Sequence, residues 1–281
     1  MNEQDHHRLP MQALHNNPIR ISCSGLYRHP AVHWLMGESL HPGGLTLTRR
    51  LAEKMGLAQG NLVLDVATSR GATPGVLVEE MGCRVIGIDL VTDSLARALE
   101  DSKGRHLGRA VHYVAGDAES LPIASGAVDA VICECSLSIF PDKPLAVREM
   151  ARVLRPGGTI GISDVTRSVE LPDSLRGVIS QVACLADVKR AEDSSILLSE
   201  AGLEDIQMED HGEELKALAE TIKKKLAPLG LMMKVGGVKV PQIGLDLGSS
   251  VKDLLSEADR LIQDGGLSYC LFTGRKPDSM S

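Results

Sequence analysis

The chain has 281 residues, 43% of them hydrophobic and 24% charged, which excludes an intrinsically disordered chain and allows one large domain or two small ones. Its 37 acidic against 30 basic side chains give a formal charge of -7, so no broad positive field exists to attract a nucleic-acid backbone. The polar start Met1–Arg8 and the lack of any long uncharged apolar run predict neither a signal peptide nor a membrane span.

Residues 1–60 read as an N-terminal cap segment of turns followed by one helix. The helix is expected from about Thr46 to Met55, with Leu47, Leu51 and Met55 at four-residue spacing and Gly56 as its stop. Tyr27, His29, His33, Trp34 and His41 make this cap rich in site-type residues. His29 and His33 stand four apart, but no third ligand accompanies them, so no metal is expected.

From Asn61 the pattern changes to short apolar runs alternating with amphipathic stretches, the signature of βαβ units around a parallel sheet buried on both faces. The runs are Leu62 to Val66, Arg84 to Ile88, Val111 to Val114, Val128 to Cys133 and Thr159 to Ser163. Thr73-Pro74 opens one intervening helix, and Asp142 before Pro144 opens another that stops at Pro156-Gly157-Gly158. Helices are expected at Leu175 to Ala186 and Ser194 to Ala201, and a sixth strand around Leu203 to Met208. A mostly helical insertion carries an apolar face of Val251, Leu254, Leu255, Ala258, Leu261 and Ile262, and residues 267–273 read as the last strand. Lys223 to Lys225 reads as a solvated face. The expected architecture is an α/β doubly wound, Rossmann-like sheet: cap at 1–60, core at 61–210, and helical insertion with the final strand at 211–281.

In such sheets ligands bind beyond the carboxyl ends of the strands, and acids stand there in order. Asp65 begins the turn Asp65-Val66-Ala67-Thr68-Ser69-Arg70-Gly71, Asp89 closes the second strand ahead of Leu90, and Gly116-Asp117-Ala118 follows the third. An acid at the position of Asp89 accepts from both hydroxyls of a ribose, and Asp117 can accept from an exocyclic amine. The turn lacks the G-x-G-x-x-G of dinucleotide sites. An acidic lining that includes Glu134 suits the positive sulfonium and ammonium of S-adenosyl-L-methionine.

Residues 61–165 resemble the class I S-adenosylmethionine-dependent methyltransferases, in the group that includes the ubiquinone and menaquinone C-methyltransferases. The matching stretches are Val63-Leu64-Asp65-Val66, Gly87-Ile88-Asp89, Gly116-Asp117-Ala118-Glu119 and Glu149 to Asp164. Ala67 and Ser69 stand where that family usually carries glycine. The resemblance implies that Asp65 and Ala67 lie near the methionine moiety, Asp89 at the ribose and Asp117 with Ala118 at the adenine. Thr68, Gly71, Leu90 and Glu134 are the further cofactor-binding residues it implies. The stretch Cys133-Glu134-Cys135-Ser136-Leu137-Ser138-Ile139-Phe140-Pro141-Asp142-Lys143, where the family places residues facing the methyl group, is similar to arsenite methyltransferases, in which a cysteine stands at the position of Cys135. Cys184, before the helix Ser194 to Ala201, matches a second thiolate of that family. The implied acceptor is a small molecule, thiol-bound arsenite with Cys135 and Cys184 as catalytic residues. The alternatives are C- or O-methylation of a quinol or phenol-like molecule, and a non-catalytic protein that only binds the cofactor. Cys83, Cys133 and Cys270 read as core. Six cysteines without Cys-x-x-Cys fit reduced thiols and a cytoplasmic location.

Overall fold

A computed structural model describes Trp34, Met36, Gly37, residues 39–172, Leu175, 187–234 and 249–278, apart from the side chains of 226, 228–234 and 249–255. The elements run α1 (Gly44–Lys54), β1 (Leu62–Val66), α2 (Ala72–Met81), β2 (Arg84–Asp89), α3 (Thr92–Gly104), β3 (Val111–Ala115) and β4 (Val128–Glu134). They continue with α4 (Lys143–Val153), β5 (Leu154–Arg167), α5 (Ala191–Glu200), β6 (Glu204–Asp210), α6 (Gly212–Lys234), α7 (Ser249–Gln263) and β7 (Leu267–Arg275).

All seven strands form one sheet in the order β3-β2-β1-β4-β5-β7-β6. β1 to β5 are parallel, and β7 runs antiparallel to both β5 and β6. The order reverses between β1 and β4, which opens a crevice at their carboxyl ends.

Alternation along the strands divides the core into two layers. In β4, Val131 and Cys133 face one layer with Ala146, Val147 and Met150 of α4 and Leu198 of α5. Ala130 and Ile132 face the other, with Leu47, Leu51 and Met55 of α1, Leu77 of α2, Leu215 of α6 and Ile262 of α7. This is the doubly wound arrangement that near-continuous apolar strands require, since both faces need cover. Gly161 of β5 lets α1 approach: a Cβ there would run into Met55 and Leu51.

The expected strands β1 to β4 are present, each within a residue of its reading. β5 is longer, because Leu154 already pairs with Val128. The Pro-Gly-Gly then bulges out before Thr159 resumes opposite Ala130. The expected helix 175–186 lies almost wholly outside the described residues, as do Cys23, His29, His33 and Cys184. Lys223 and Lys224 are exposed, as the solvated reading expects, and Lys225 is half-buried. Lys223 Nζ pairs with Asp259 of α7 at 2.5 Å, and Lys225 Nζ lies over the Trp34 ring at 5.6 Å. Cys83, Cys133 and Cys270 are buried, as expected. No described helix is long and apolar enough to cross a membrane.

Candidate active site

The main cleft opens where the strand order reverses. It is lined by the turn after β1, the ends of β2 and β4, the loop after β3, and Ser39, Leu40 and His41 ahead of α1. The sequence places small residues in the β1 turn because the backbone there leaves the ordinary regions. Ala67, Ser69 and Gly71 take φ of 61°, 50° and 78°, and a non-glycine residue in that region costs about 1–2 kcal/mol. The Thr68 N–H donates to Ile88 O at 2.9 Å and the Gly71 N–H to Thr68 O at 2.9 Å, which fixes the turn against β2.

Each acid is built in differently. Asp65 is buried and accepts from the Thr68 hydroxyl. Burial holds its carboxyl well above the usual carboxylate range, with the charges of Glu134 and Asp89 pushing the same way. Asp89 takes the Ser69 N–H on one oxygen and the Val91 N–H on the other, both at 2.8 Å. Its carboxyl is also raised by burial, against the pull of those amides. Asp117 accepts the Glu119 N–H at 3.0 Å and is bridged to Ser120.

Glu134, at the end of β4, gathers three elements. The Thr48 hydroxyl of α1 lies 3.1 and 3.2 Å from its two oxygens, and the Thr73 hydroxyl of α2 donates at 2.7 Å. His41 Nε2 stands 3.8 Å from its Oε1. The His41 ring stacks on Tyr269 of β7, centroids 6.5 Å apart and planes 9° from parallel. The Tyr269 phenol donates to Ser163 Oγ at 2.7 Å, and burial raises it well above its ordinary value. Cys135 follows with φ 51°, and its N–H donates to Ser163 O at 2.7 Å. The next turn, Leu137–Ile139, is pinned by buried Asp164, which accepts the Ser138 N–H at 2.6 Å and the Ser138 hydroxyl at 3.0 Å.

The cleft thus brings together Asp65, Ala67, Thr68, Asp89, Leu90, Asp117, Ala118, Glu134 and Cys135. Gly71 is not on the lining. It caps α2 with left-handed backbone, and a Cβ there would strike the Tyr113 hydroxyl. Sequence reasoning did not foresee Thr48, Thr73 or Ser94 at the cleft or its supports. The capping hydroxyl of Thr73 is the one legible signal among them. Among the described residues no group of three His, Cys, Asp or Glu side chains is arranged to hold a metal ion.

Residues 64–162 match the family model for a methyltransferase domain. An arsenite methyltransferase of Halobacterium salinarum is 29% identical over 167 residues, covering 58% of this chain and 42% of that protein. Over this stretch the chain resembles the methyltransferase domains. A methyltransferase of Streptomyces halstedii, GfsG, is 26% identical over 251 residues, 87% of this chain and 86% of its own length. Among solved structures, a phosphoethanolamine N-methyltransferase of Haemonchus contortus in complex with S-adenosylhomocysteine superposes with a TM-score of 0.71 at 21% identity. It is matched over 88% of this chain and 56% of that one, and the overlay shows the shared fold. The chain spans about half the length of the arsenite and phosphoethanolamine enzymes it matches, which are 42% and 56% covered. The donor set fits S-adenosylmethionine: acids line a cleft floored by a small-residue turn, suited to a ligand carrying hydroxyls, an exocyclic amine and positive charge.

Proposed function

We propose that the chain binds S-adenosylmethionine in this cleft and transfers its methyl group to a small molecule held against Cys135, Ser136, Ile139 and Phe140. The bound cofactor supplies an electrophilic methyl carbon on a sulfonium. The observation that carries the reading is Asp89. Backbone N–H groups of Ser69 and Val91 hold its two oxygens, which orients the carboxylate at the end of β2, where an acid accepts from ribose hydroxyls. Asp117 with Ala118 serves the adenine. Asp65, Ala67 and Thr68 shape the floor under the methionine tail while Gly71 holds the turn, Leu90 covers the ribose side, and Glu134 answers the positive charge.

The protein's contribution to rate is alignment and exclusion of water, which in favourable cases supplies several kcal/mol without an acid or base. An acceptor that carries a proton needs somewhere to lose it, and His41 is the histidine on the cleft wall. A second reading, a thiol-bound arsenite acceptor, is favoured by Cys135, which lines the cleft and is half-exposed. A soft thiolate suits As(III), and the Halobacterium relative carries that activity in its name.

Calorimetry with S-adenosylhomocysteine tests the cofactor site, and Asp89→Ala should abolish the heat of binding. Turnover with labelled cofactor against arsenite plus glutathione, and against a panel of phenols and quinols, decides the acceptor. Loss of arsenite turnover in Cys135→Ser with cofactor binding intact supports the metalloid reading. Undiminished turnover rejects it. Binding without transfer to any acceptor returns the non-catalytic alternative.

A further inference from the structure

We infer that Glu119 is a positioning residue that ties the acceptor wall to the adenine loop: its carboxylate holds the backbone amide of Asp142, so a nucleoside seated on Asp117 and Ala118 also stiffens the segment Ile139–Pro141. The inference deepens the proposed function and rests on it, because the nucleoside it invokes is that of S-adenosylmethionine.

Glu119 ends the stretch Gly116-Asp117-Ala118-Glu119 that follows β3. That stretch closes on itself: the Ser120 N–H donates to Asp117 O at 3.0 Å, and the Glu119 N–H donates to Asp117 Oδ1 at 3.0 Å. From this turn Glu119 Oε1 accepts the Asp142 N–H at 2.8 Å, across 23 residues of chain. A backbone amide can only donate, so the sense of the bond is fixed. Asp142 is the N-cap of α4: its Oδ1 accepts the Leu145 N–H at 2.8 Å and its carbonyl the Ala146 N–H at 3.0 Å.

Immediately before Asp142 come Ile139, Phe140 and Pro141, all on the cleft lining. This wall hangs between two anchors. At one end Ser138 is held by buried Asp164. At the other, Lys143, which is 5% exposed, donates through Nζ to Phe140 O at 3.0 Å and to Asp187 at 2.6 Å, next to the Asp142 cap. Glu119 joins that second anchor to the adenine loop.

The rest of the loop is already fastened along α4. Glu149 accepts the Leu121 N–H at 2.9 Å, Arg152 donates to Leu121 O at 3.1 Å and to Ile123 O at 2.9 Å, and Ala118 and Leu121 pack with Ala146, Val147 and Met150. The turn Asp117–Ser120 and its bond to Asp142 are the part left for a ligand to tighten. That bond is exposed, so water competes for the Asp142 amide and its net worth is small. A ligand that pins Asp117 and Ala118 takes away the turn's freedom and lowers the entropic cost of keeping Glu119 on Asp142. Linkage makes the effect reciprocal, so a molecule that orders the acceptor wall also tightens nucleoside binding.

The test is hydrogen–deuterium exchange on the full chain, read over residues 136–145, with and without saturating S-adenosylhomocysteine. In the wild type the ligand should slow exchange there by about fivefold or more, the lower end of ordinary coupling between sites. Glu119→Ala should still give a heat of binding, since Asp89, Asp117 and Ala118 are untouched, but most of the slowing should vanish. Glu119→Gln keeps an Oε1 acceptor and should restore it. Direct contact of the ligand's amino-acid tail with the wall, or transmission through Glu149 and Arg152, would leave the slowing intact in Glu119→Ala, and that result overturns the inference. A wild type that binds without slowing, or a Glu119→Gln that behaves like Glu119→Ala, overturns it too. If Glu119→Ala does not fold, Glu119→Asp replaces it: one methylene shorter, it withdraws the acceptor from Asp142, and undiminished slowing refutes the role of the bond. Loss of binding in whichever variant folds would make Glu119 part of the ligand site and end its assignment as a positioning residue. No heat with the wild type instead removes the proposed function.

Discussion

Asp164 gives the prediction with the best-defined pH window. Its carboxylate is buried in β5, accepts from the Ser138 amide, the Ser138 hydroxyl and the Val165 N–H, and has Lys143 near enough to favour its charge. Burial still outweighs these and pushes it up from 3.8 to about 6. Between those values the folded protein holds a proton that the unfolded chain has already lost, so unfolding free energy falls as pH rises. The stability is fully present below about 3.8 and gone above about 6. A shift of about two units at 1.36 kcal/mol each is worth about 3 kcal/mol. Asp164→Asn removes the titration. Urea unfolding at pH steps from 4 to 7 should show the wild type losing about 2.4 kcal/mol more than the variant across that interval, since part of the shift is already spent at pH 4. The variant keeps one acceptor for the Ser138 amide and turns an NH₂ toward a neighbouring donor, so the Leu137–Ile139 turn should loosen and acceptor KM rise more than cofactor Kd. Parallel stability profiles for the two proteins would refute the assignment of this charge cost to Asp164.

Three further outcomes follow from the β1 turn and its partners. Asp89→Asn keeps one acceptor for the two amides but loses the charge, and S-adenosylhomocysteine should bind about 10–100-fold more weakly, the range for hydrogen bonds to an ionised group. Calorimetry reads this directly, and unchanged affinity refutes the ribose role. Burial raises the Asp65 carboxyl, so wild-type stability is lost as pH rises through that raised value; Asp65→Asn should flatten this loss in melting temperature measured against pH, and cofactor affinity should fall in exchange. Ala67→Gly relieves a left-handed cost of about 1–2 kcal/mol and adds about 0.5–1 kcal/mol of chain entropy to the unfolded state. The variant should be as stable as the wild type or up to about 1 kcal/mol more so in urea unfolding, and a clear loss would place the strain elsewhere.

The parallel strands were legible because burial on both faces forces continuous apolar runs, and the polar residues that end them, Asp65, Asp89 and Glu134, mark the ligand side with no further information. β5 was misjudged because Pro156-Gly157-Gly158 reads as a terminator, whereas here the three residues sit in a bulge with strand pairing on either side. The adenosine side of the cleft lies within one βαβαβ run, so spacing along the chain carries it. The acceptor side does not. Thr48 and Glu134 are 86 residues apart, and His41 meets Tyr269 only because β7 inserts antiparallel beside β5. No local pattern encodes such contacts, since each residue separately fits an ordinary helix face or strand. His41 stood out from the sequence only as one member of a histidine-rich cap, yet its ring is held between Pro42, Thr48, Glu134 and Tyr269. Local spacing thus displays the proposed cofactor half of the cleft, whereas the proposed acceptor half is assembled by tertiary contacts, so variants at His41, Cys135, Ile139 and Phe140, rather than in the motif that announces the fold, test the acceptor preference.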